Sequence, residues 1–194
     1  GIPTYTSQGD LSMTLNCGHG EFSRLVLAPG DSNECQELVS QAFYFSQKYK
    51  TPCIVISDKH LAESFYTFEE KPKITKSEKT TFLKKFNSYE HDENGFSTED
   101  AEIIKKNVEN RLKKAEQIEN ETKKFTRYKI RGKSNSKNLI IAWGSTKGAI
   151  LDVIKDLDCE FLQILYIEPF PEIKDILKGK NLILIENNST AQLG

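Results

Sequence analysis

The sequence predicts an α/β protein, and two observations carry this prediction. Short apolar runs alternate with helical patterns near both ends of the chain, over 24–58 and over 138–185. The segments between successive apolar runs are long enough for a crossover helix, which is the connection that parallel strands need. We therefore expect two α/β units, each with a parallel sheet.

The composition is that of a globular protein. Hydrophobic residues make up 37% of the chain, charged residues 28%, and the net charge is -1. No apolar run reaches the roughly 20 residues that a membrane-spanning helix requires, so no membrane span is expected. The four cysteines show neither a CxxC pattern nor metal-ligand spacing with a histidine. We expect them to be free thiols in a reducing cytoplasm.

Charge divides the chain into three regions. Counting Lys, Arg, Asp and Glu, residues 1–67 carry -3, residues 68–137 carry +5, and residues 138–194 carry -3. The middle region is predicted to be a charged linker with a long amphipathic helix, capped within 97–100, whose apolar stripe packs on one of the units. Glutamates accompany the lysines of this helix, which has no aromatic residue, so a solvated face is expected and nucleic-acid binding is not.

In the first unit, residues 24–28 are predicted to form a buried strand. Asp31 or Ser32 can cap the following helix, because a short side-chain oxygen accepts from the free N–H groups of the first turn. Apolar residues at helical spacing continue to Tyr49, and 52–58 is a second apolar strand.

The last unit repeats this scheme. Strands are predicted at 138–143, 161–167 and 181–185. A helix face over 149–157 and a short helix at 173–177 connect them. The order of strands and helices again indicates an α/β unit.

The turn between the strand at 138–143 and its helix reads Gly-Ser-Thr-Lys-Gly, which is close to a phosphate-binding loop. A Walker loop needs lysine directly after the second glycine, whereas Lys147 precedes Gly148 and Ala149 follows it. We therefore expect a structural turn, in which Gly144 lets the strand turn, Ser145 caps the helix and Gly148 permits close packing.

Several stretches, in order, resemble the α subunits of 2-oxoacid:ferredoxin oxidoreductases, the pyruvate and 2-oxoglutarate synthase family. They are GIPTYTSQGDL (1–11), CGHGEF with LVLAPGD (17–31), KYKTPCIVISDKHLAES (48–64), YEHDENGFSTED with VENRLKK (89–114), WGSTKGAI (143–150), PFP (169–171) and IENNSTAQL (185–193). The resemblance covers nearly the whole chain.

The resemblance implies that 1–67 is the C-terminal part of a pyrimidine-binding-type domain of a thiamine diphosphate enzyme. Residues 138–194 would begin a second α/β domain like the transketolase C-terminal domain. The Tyr-Pro-x-Thr-Pro motif of the family and its cofactor-binding glutamate do not occur in these 194 residues. The resemblance therefore implies a partial α subunit, inactive by itself.

The implied activity is oxidative decarboxylation of a 2-oxoacid to an acyl-CoA, with electrons passed to ferredoxin. Thiamine diphosphate and Mg²⁺ would be shared with a partner β subunit, and iron-sulfur clusters would lie on partner subunits, with γ and δ subunits as further candidates. Coenzyme A would be a co-substrate. The alternative is a non-catalytic interaction or assembly module derived from the same family.

The resemblance also implies candidate site residues at the start of the chain. Thr4 would donate its hydroxyl to the carboxylate or carbonyl of the 2-oxoacid, unless it is a turn threonine fixed by Pro3. Gln8 and Asp10 could order this substrate loop or cap the helix that follows.

Three further residues have two interpretations each. His19 and Glu21 belong to an active-site or subunit-contact loop, or to a hydrogen-bonded turn. Asp58 follows a strand, where open α/β sheets bind ligands, but it can equally cap the next turn.

A metal role is not expected for the consecutive residues 91–93, which point in different directions. Asn187, Asn188 and Gln192 are expected to order a turn, since Glu186 lacks the upstream Gly-Asp-Gly of the thiamine diphosphate magnesium motif.

Overall fold

The structure, a computed structural model, describes residues 6–18, 20–67, 70–79 and 87–194. In chain order its elements are α1 (Leu11–Asn16), β1 (Leu25–Leu27), α2 (Ser32–Tyr49), β2 (Cys53–Val55), α3 (Lys59–Glu63), α4 (Ala101–Thr122), β3 (Tyr128–Gly132), β4 (Asn138–Trp143), α5 (Thr146–Val153), β5 (Glu160–Ile164), β6 (Tyr166–Glu168), α6 (Lys174–Leu177) and β7 (Asn181–Ile185). The α/β class is confirmed.

The strands form two sheets, ordered β2-β1-β6 and β3-β5-β4-β7. The predicted parallel pairing is confirmed for β1 with β2 and for β4 with both β5 and β7. The expectation of purely parallel sheets is wrong at two edges, because β6 runs antiparallel to β1 and β3 antiparallel to β5. Strand β6 follows β5 after one residue, and β3 is joined to β4 by the short segment 133–137, so neither of these two connections contains a crossover helix.

The two sheets share one core. Alternate side chains of a strand point to opposite faces. In β1, Val26 packs with residues of the second sheet, whereas Leu25 and Leu27 pack against α2. In β4, Leu139 faces the first sheet and Ile140 faces α5. The layers are therefore α2, the first sheet, the second sheet and α5.

One chain segment passes from the second sheet to the first. The sequence predicts a single strand over 161–167, but the structure divides it into β5 and β6 on either side of Leu165. The carbonyl of Leu165 accepts from the Ala28 N–H at 2.8 Å. Every side chain of β5 is buried, as expected for a strand covered on both faces.

Helix α2 begins as predicted. The Asp31 side chain accepts from the Glu34 N–H at 2.8 Å, which satisfies one free donor of the first turn. Its buried face carries Leu38, Ala42 and Phe45 at helical spacing.

Helix α4 begins as predicted, since the Asp100 side chain accepts from the N–H groups of Glu102 and Ile103, but the helix packs differently from the prediction. Only its last two turns are buried, at Ile118, Glu121 and Thr122. The predicted packing of its whole apolar stripe is wrong, since Val108 is 38% and Leu112 58% exposed. The predicted linker also contains a strand. Strand β3 follows α4 within this charged region and forms one edge of the second sheet.

Candidate functional site

Gln8 joins the N-terminal segment to the second sheet. Its buried side chain donates from Nε2 to the Trp143 carbonyl at 2.8 Å and accepts at Oε1 from the Asn187 N–H at 2.7 Å. Its backbone N–H also donates to the Asn187 carbonyl at 2.8 Å. Of the two roles predicted for Gln8, helix capping is wrong. The residue bridges the beginning of the chain and the ends of β4 and β7.

Two glycines make this approach possible. Gly144 has a φ of +63°, and a Cβ there would lie 2.7 Å from Gln8 Nε2. A Cβ at Gly30 would lie 2.8 Å from the Gly144 carbonyl oxygen and 2.7 Å from Lys147 Cδ. The predicted turn at Gly144 is confirmed, and its glycine is required by both conformation and contact.

The turn after β7 holds the rest of the N-terminal segment. Gln192 donates from Nε2 to the Gly9 carbonyl at 3.0 Å and accepts from the Ser12 N–H at 2.9 Å. Asn187 donates from Nδ2 to the Thr6 carbonyl at 3.2 Å. The backbone from residue 6 to residue 12 is therefore fixed by partners about 180 residues away.

Glu186 organises this turn internally. It accepts from Trp143 Nε1 at 2.8 Å, from Asn188 Nδ2 at 3.0 Å and from the Leu193 N–H at 3.1 Å. These neutral donors explain its position beside the buried indole, as part of the predicted structural turn.

Asp58 lies at the same end of the sheets. One carboxylate oxygen accepts from the Leu61 N–H at 3.0 Å and caps α3, and the other accepts from the Ser145 hydroxyl. The capping role of Asp58 is confirmed. Ser145 makes no side-chain cap to α5, because its hydroxyl is engaged by Asp58. No atom lies within 4 Å of a Cβ built at Gly148, so the close packing predicted there is wrong.

The other predicted residues are not gathered at this point. Asp10 is exposed and precedes α1 without capping it through its side chain. Glu21 is exposed and lines a cavity beside α4 with Arg24 and Glu168. Thr4 and His19 lie outside the described residues. The structure thus brings together Gln8 and Asp58, both bound to residues 143–145.

A buried ionic cluster beside these contacts was not predicted. The carboxylate of Glu34, which is 2% exposed, lies 2.8 Å from the ammonium groups of both Lys147 and Lys129. Gln163 Nε2 donates to it at 2.6 Å, and Asp31 forms a second ion pair with Lys147. The cluster fastens the start of α2 to the second sheet and α5.

Burial by itself would raise the pKa of Glu34, but attraction to Lys147 and hydrogen bonds from Lys129 and Lys147 lower it to about 2. Glu34 is therefore ionised throughout the physiological range. The sequence holds one signal for its burial, since Glu34 lies on the same helix face as Leu38 and Ala42.

Among the described residues, no group of three or more His, Cys, Asp or Glu side chains is placed to hold a metal ion. Asp92 instead accepts from the N–H groups of Asn94 and Phe96 in a local turn, both at 2.9 Å. The four cysteines are free thiols, of which Cys17 is exposed and Cys159 is buried. None of the helices in the described ranges combines the length and the apolar character needed to cross a bilayer.

Comparisons with known proteins agree with the fold. Residues 1–135 match the model of the family described as pyruvate flavodoxin/ferredoxin oxidoreductase, thiamine diphosphate-binding. The 2-oxoglutarate:ferredoxin oxidoreductase of Magnetococcus marinus, solved with 2-oxoglutarate, coenzyme A and succinyl-CoA bound, has a TM-score of 0.79 and 22% identity. That match covers 100% of this chain and 40% of the solved chain, and it supports the fold.

Curated relatives carry related names. The 2-oxoacid:ferredoxin oxidoreductase subunit alpha of Saccharolobus solfataricus is 36% identical over all of this chain. The 2-oxoglutarate synthase subunit KorA of Archaeoglobus fulgidus is 26% identical, also over all of it. The chain spans 37% of the first relative and 58% of the second. The chain therefore belongs to the pyruvate flavodoxin/ferredoxin oxidoreductase family with its thiamine diphosphate-binding domain.

Proposed function

We propose that the chain acts within the α subunit of a thiamine diphosphate-dependent 2-oxoacid:ferredoxin oxidoreductase. The enzyme would decarboxylate a 2-oxoacid oxidatively, pass the electrons to ferredoxin and transfer the acyl group to coenzyme A. The family match over 1–135 and the names of the relatives support this function. Residues 1–67 would complete the pyrimidine-binding-type domain, 68–137 would connect it, and 138–194 would begin the second α/β domain.

We infer the cofactors and partners from the family to which the chain belongs. Thiamine diphosphate supplies the carbanion chemistry when bound, and the protein binds and orients the 2-oxoacid. Thiamine diphosphate and Mg²⁺ would be shared with a β subunit, and the iron-sulfur clusters would be carried by partner subunits. The free cysteines are consistent with a cytoplasmic enzyme.

The observation that carries a substrate role for the N-terminal segment is its attachment at Gln8. Thr4 precedes Gln8 by four residues, and an extended chain of that length spans at most about 14 Å. The backbone is fixed from residue 6 onward beside the end of β4, and this attachment supports a substrate role for the segment that contains Thr4. We assign Thr4 to the carboxylate or carbonyl of the 2-oxoacid, and Gln8 to the positioning of the segment.

The test replaces Thr4 by valine in the native protein assembled with its partner subunits. Loss of a hydroxyl that donates to the substrate should raise the KM for the 2-oxoacid about 10- to 100-fold, with the KM for coenzyme A unchanged. The assay is ferredoxin reduction that depends on both 2-oxoacid and coenzyme A. The matched control is Thr6→Val, since Thr6 contributes its backbone carbonyl to the contact with Asn187.

Equal effects of Thr4→Val and Thr6→Val would remove the substrate role of Thr4. An intact native assembly that turns over no 2-oxoacid would instead favour the non-catalytic assembly module. The two failures are distinguishable, because the first leaves wild-type activity in place.

A further inference from the structure

A cavity of about 570 Å³ lies between α4 and the loops that precede β1 and β2. It shares no lining residue with the contacts of Gln8, Glu34 or Asp58. Cavities of this size are typical of small-molecule sites. Helix α4 forms one wall with the exposed part of its surface, and the segment before it forms another. The proposed function makes no use of this cavity.

The charged residues of the lining are mostly cationic. Lys50, Arg111 and Lys114 line the cavity together with one carboxylate among the described residues, that of Glu90. Both oxygens of Glu90 are already engaged, one by Arg111 at 2.7 Å and the other by Asn107 Nδ2 at 2.9 Å. The hydrogen bond from Arg111 is the largest of the effects that lower the pKa of Glu90. The cations therefore exceed the negative charge, and the cavity favours an anion.

One buried lining residue has an unused hydrogen-bonding atom. His91 is 8% exposed, and its Nε2 is shielded from solvent without a hydrogen-bond partner among the described residues. Its backbone is fixed by a bridge to Ser97 and by Asn107, which donates to the His91 carbonyl at 3.0 Å. The ring lines the cavity. Buried polar atoms ordinarily have partners, so a ligand toward which this ring turned would give Nε2 the partner that it lacks.

We propose that this cavity binds a small molecule carrying a phosphate group, held by Arg111, Lys114 and Lys50 and hydrogen-bonded to Nε2 of His91. A phosphate carries up to two negative charges, whereas one carboxylate would balance a single cation. The guanidinium fork presents five N–H donors and matches two phosphate oxygens, and the contact with Glu90 uses only part of this set.

The aromatic side chains of Phe22 and Tyr89 also line the cavity and would offer faces to a nucleobase. Inorganic pyrophosphate and AMP are therefore the two probes. Both carry phosphate, and only AMP carries a base. Tighter binding of AMP would identify a nucleotide as the natural class, and tighter binding of pyrophosphate a ligand recognised by phosphate alone.

Isothermal titration calorimetry on the purified native protein tests the proposal. Saturable binding of at least one probe is expected, with Kd raised about tenfold or more by Arg111→Gln. The variant Arg111→Lys keeps the charge and loses the fork, so it should bind with intermediate affinity. His91→Phe keeps the ring shape and should weaken binding several-fold. The control is Lys105→Gln, the same charge change on α4 at a residue that does not line the cavity.

Absence of saturable binding of both probes at about 10 mM would overturn the proposal, since such affinity would be negligible. Equal weakening by Arg111→Gln and Lys105→Gln would also overturn it, because general attraction to a basic surface would then explain the binding. Unchanged affinity in both His91→Phe and Arg111→Lys would exclude the assigned geometry.

Discussion

Glu34 is a buried carboxylate whose counter-charges come from distant parts of the chain. Lys129 and Lys147 follow it by 95 and 113 residues. A buried charge without a partner is strongly destabilising, whereas a paired and hydrogen-bonded one is tolerated. The charges of this cluster are paired only when α2, β3 and α5 have all reached their native positions. Burial of Glu34 is therefore tolerated only when the two sheets are packed together.

The lowered pKa of Glu34 predicts a pH-dependent stability. The folded value of about 2 lies below the ordinary 4.5, so the contribution is present above pH 4.5 and is lost as the pH falls toward 2. Glu34→Gln should lower the free energy of unfolding by about 3 kcal/mol at pH 7. The difference from wild type should shrink by about 2 kcal/mol at pH 3.

Urea denaturation of the purified protein at the two pH values measures this difference. The control is Glu63→Gln, because Glu63 is exposed on α3 and its ion pair with Lys59, at 3.8 Å, is on the surface. A stability loss that is the same at pH 7 and pH 3 would show that Glu34 acts through packing and not through charge.

Two glycines in one turn should respond oppositely to alanine. Gly144→Ala places a Cβ 2.7 Å from Gln8 Nε2 at a φ of +63°, and should destabilise the protein by about 1–3 kcal/mol. Gly148→Ala enters open space inside α5 and should stabilise it by about 0.5–1 kcal/mol, because alanine is the better helix former. Thermal unfolding of both variants measures the two changes in stability. Similar shifts in the same direction would contradict the close approach of Gln8.

At the scale of elements, Glu121 attaches α4 to α2. Its carboxylate accepts from Lys48 at 2.6 Å and from the hydroxyls of Tyr44, at 2.6 Å, and Tyr49. Burial would raise the pKa of Glu121, but the hydrogen bond from Lys48 and those from the two tyrosines lower it to about 2. Helix α4 is otherwise mostly exposed, so this attachment and the buried side chain of Ile118 hold its C-terminal end against α2.

Glu121→Gln should therefore speed the exchange of backbone amides in the last two turns of α4, and also near Tyr44 in α2. Hydrogen exchange followed by mass spectrometry measures the change. Glu116→Gln, on the exposed part of the same helix, should leave exchange unaffected. If both variants exchange like the wild type, the aromatic contacts of Phe125 with Tyr44 and Phe45 hold the helix without Glu121.

Elements with strong periodicity were predictable, and elements whose placement depends on distant partners were not. The pattern predicted α2, β4 and β7 close to their observed bounds. It missed β3, because Lys129 and Arg131 alternate with half-exposed apolar residues in a segment of high charge. Lys129 donates to Glu34 and Arg131 donates to Gln163. The contacts that favour a strand here are therefore made with distant residues, which the local sequence pattern does not show.

The candidate site shows the same division. The sequence predicted the capping role of Asp58, a local interaction whose partners follow within three residues. It left the role of Gln8 open, because its partners at Trp143 and Asn187 are 135 and 179 residues away. Neither periodicity nor turn chemistry contains information about such contacts.

For the whole molecule, the shared core predicts a single unfolding transition. Val26 of the first sheet and Ile56, which directly follows β2, pack in one cluster with Leu139 and Leu162 of the second sheet, and β6 completes the first sheet. Fluorescence of Trp143, the only tryptophan, reports on the second sheet. The reactivity of the Cys53 thiol, whose pKa burial raises to about 12, reports on β2. The two probes should give coincident denaturation curves.

A curve for Cys53 that precedes the curve for Trp143 would contradict this expectation and show that the sheets unfold separately. The comparison needs a cysteine background in which Cys53 alone reacts. Cys17 is exposed and is therefore the first thiol to replace.

The hydrogen bonds around Gln8 also affect the order in which parts of the fold can form during synthesis. The ribosome releases the segment 6–12 long before it makes Asn187 and Gln192, whose hydrogen bonds fix that segment. Strand β1 likewise gains its antiparallel neighbour only after β6 has been synthesised. Residues 6–12 of the nascent chain must therefore stay without these partners until residues 187–192 appear, and the proposed substrate segment is among the last parts of the fold to acquire its position.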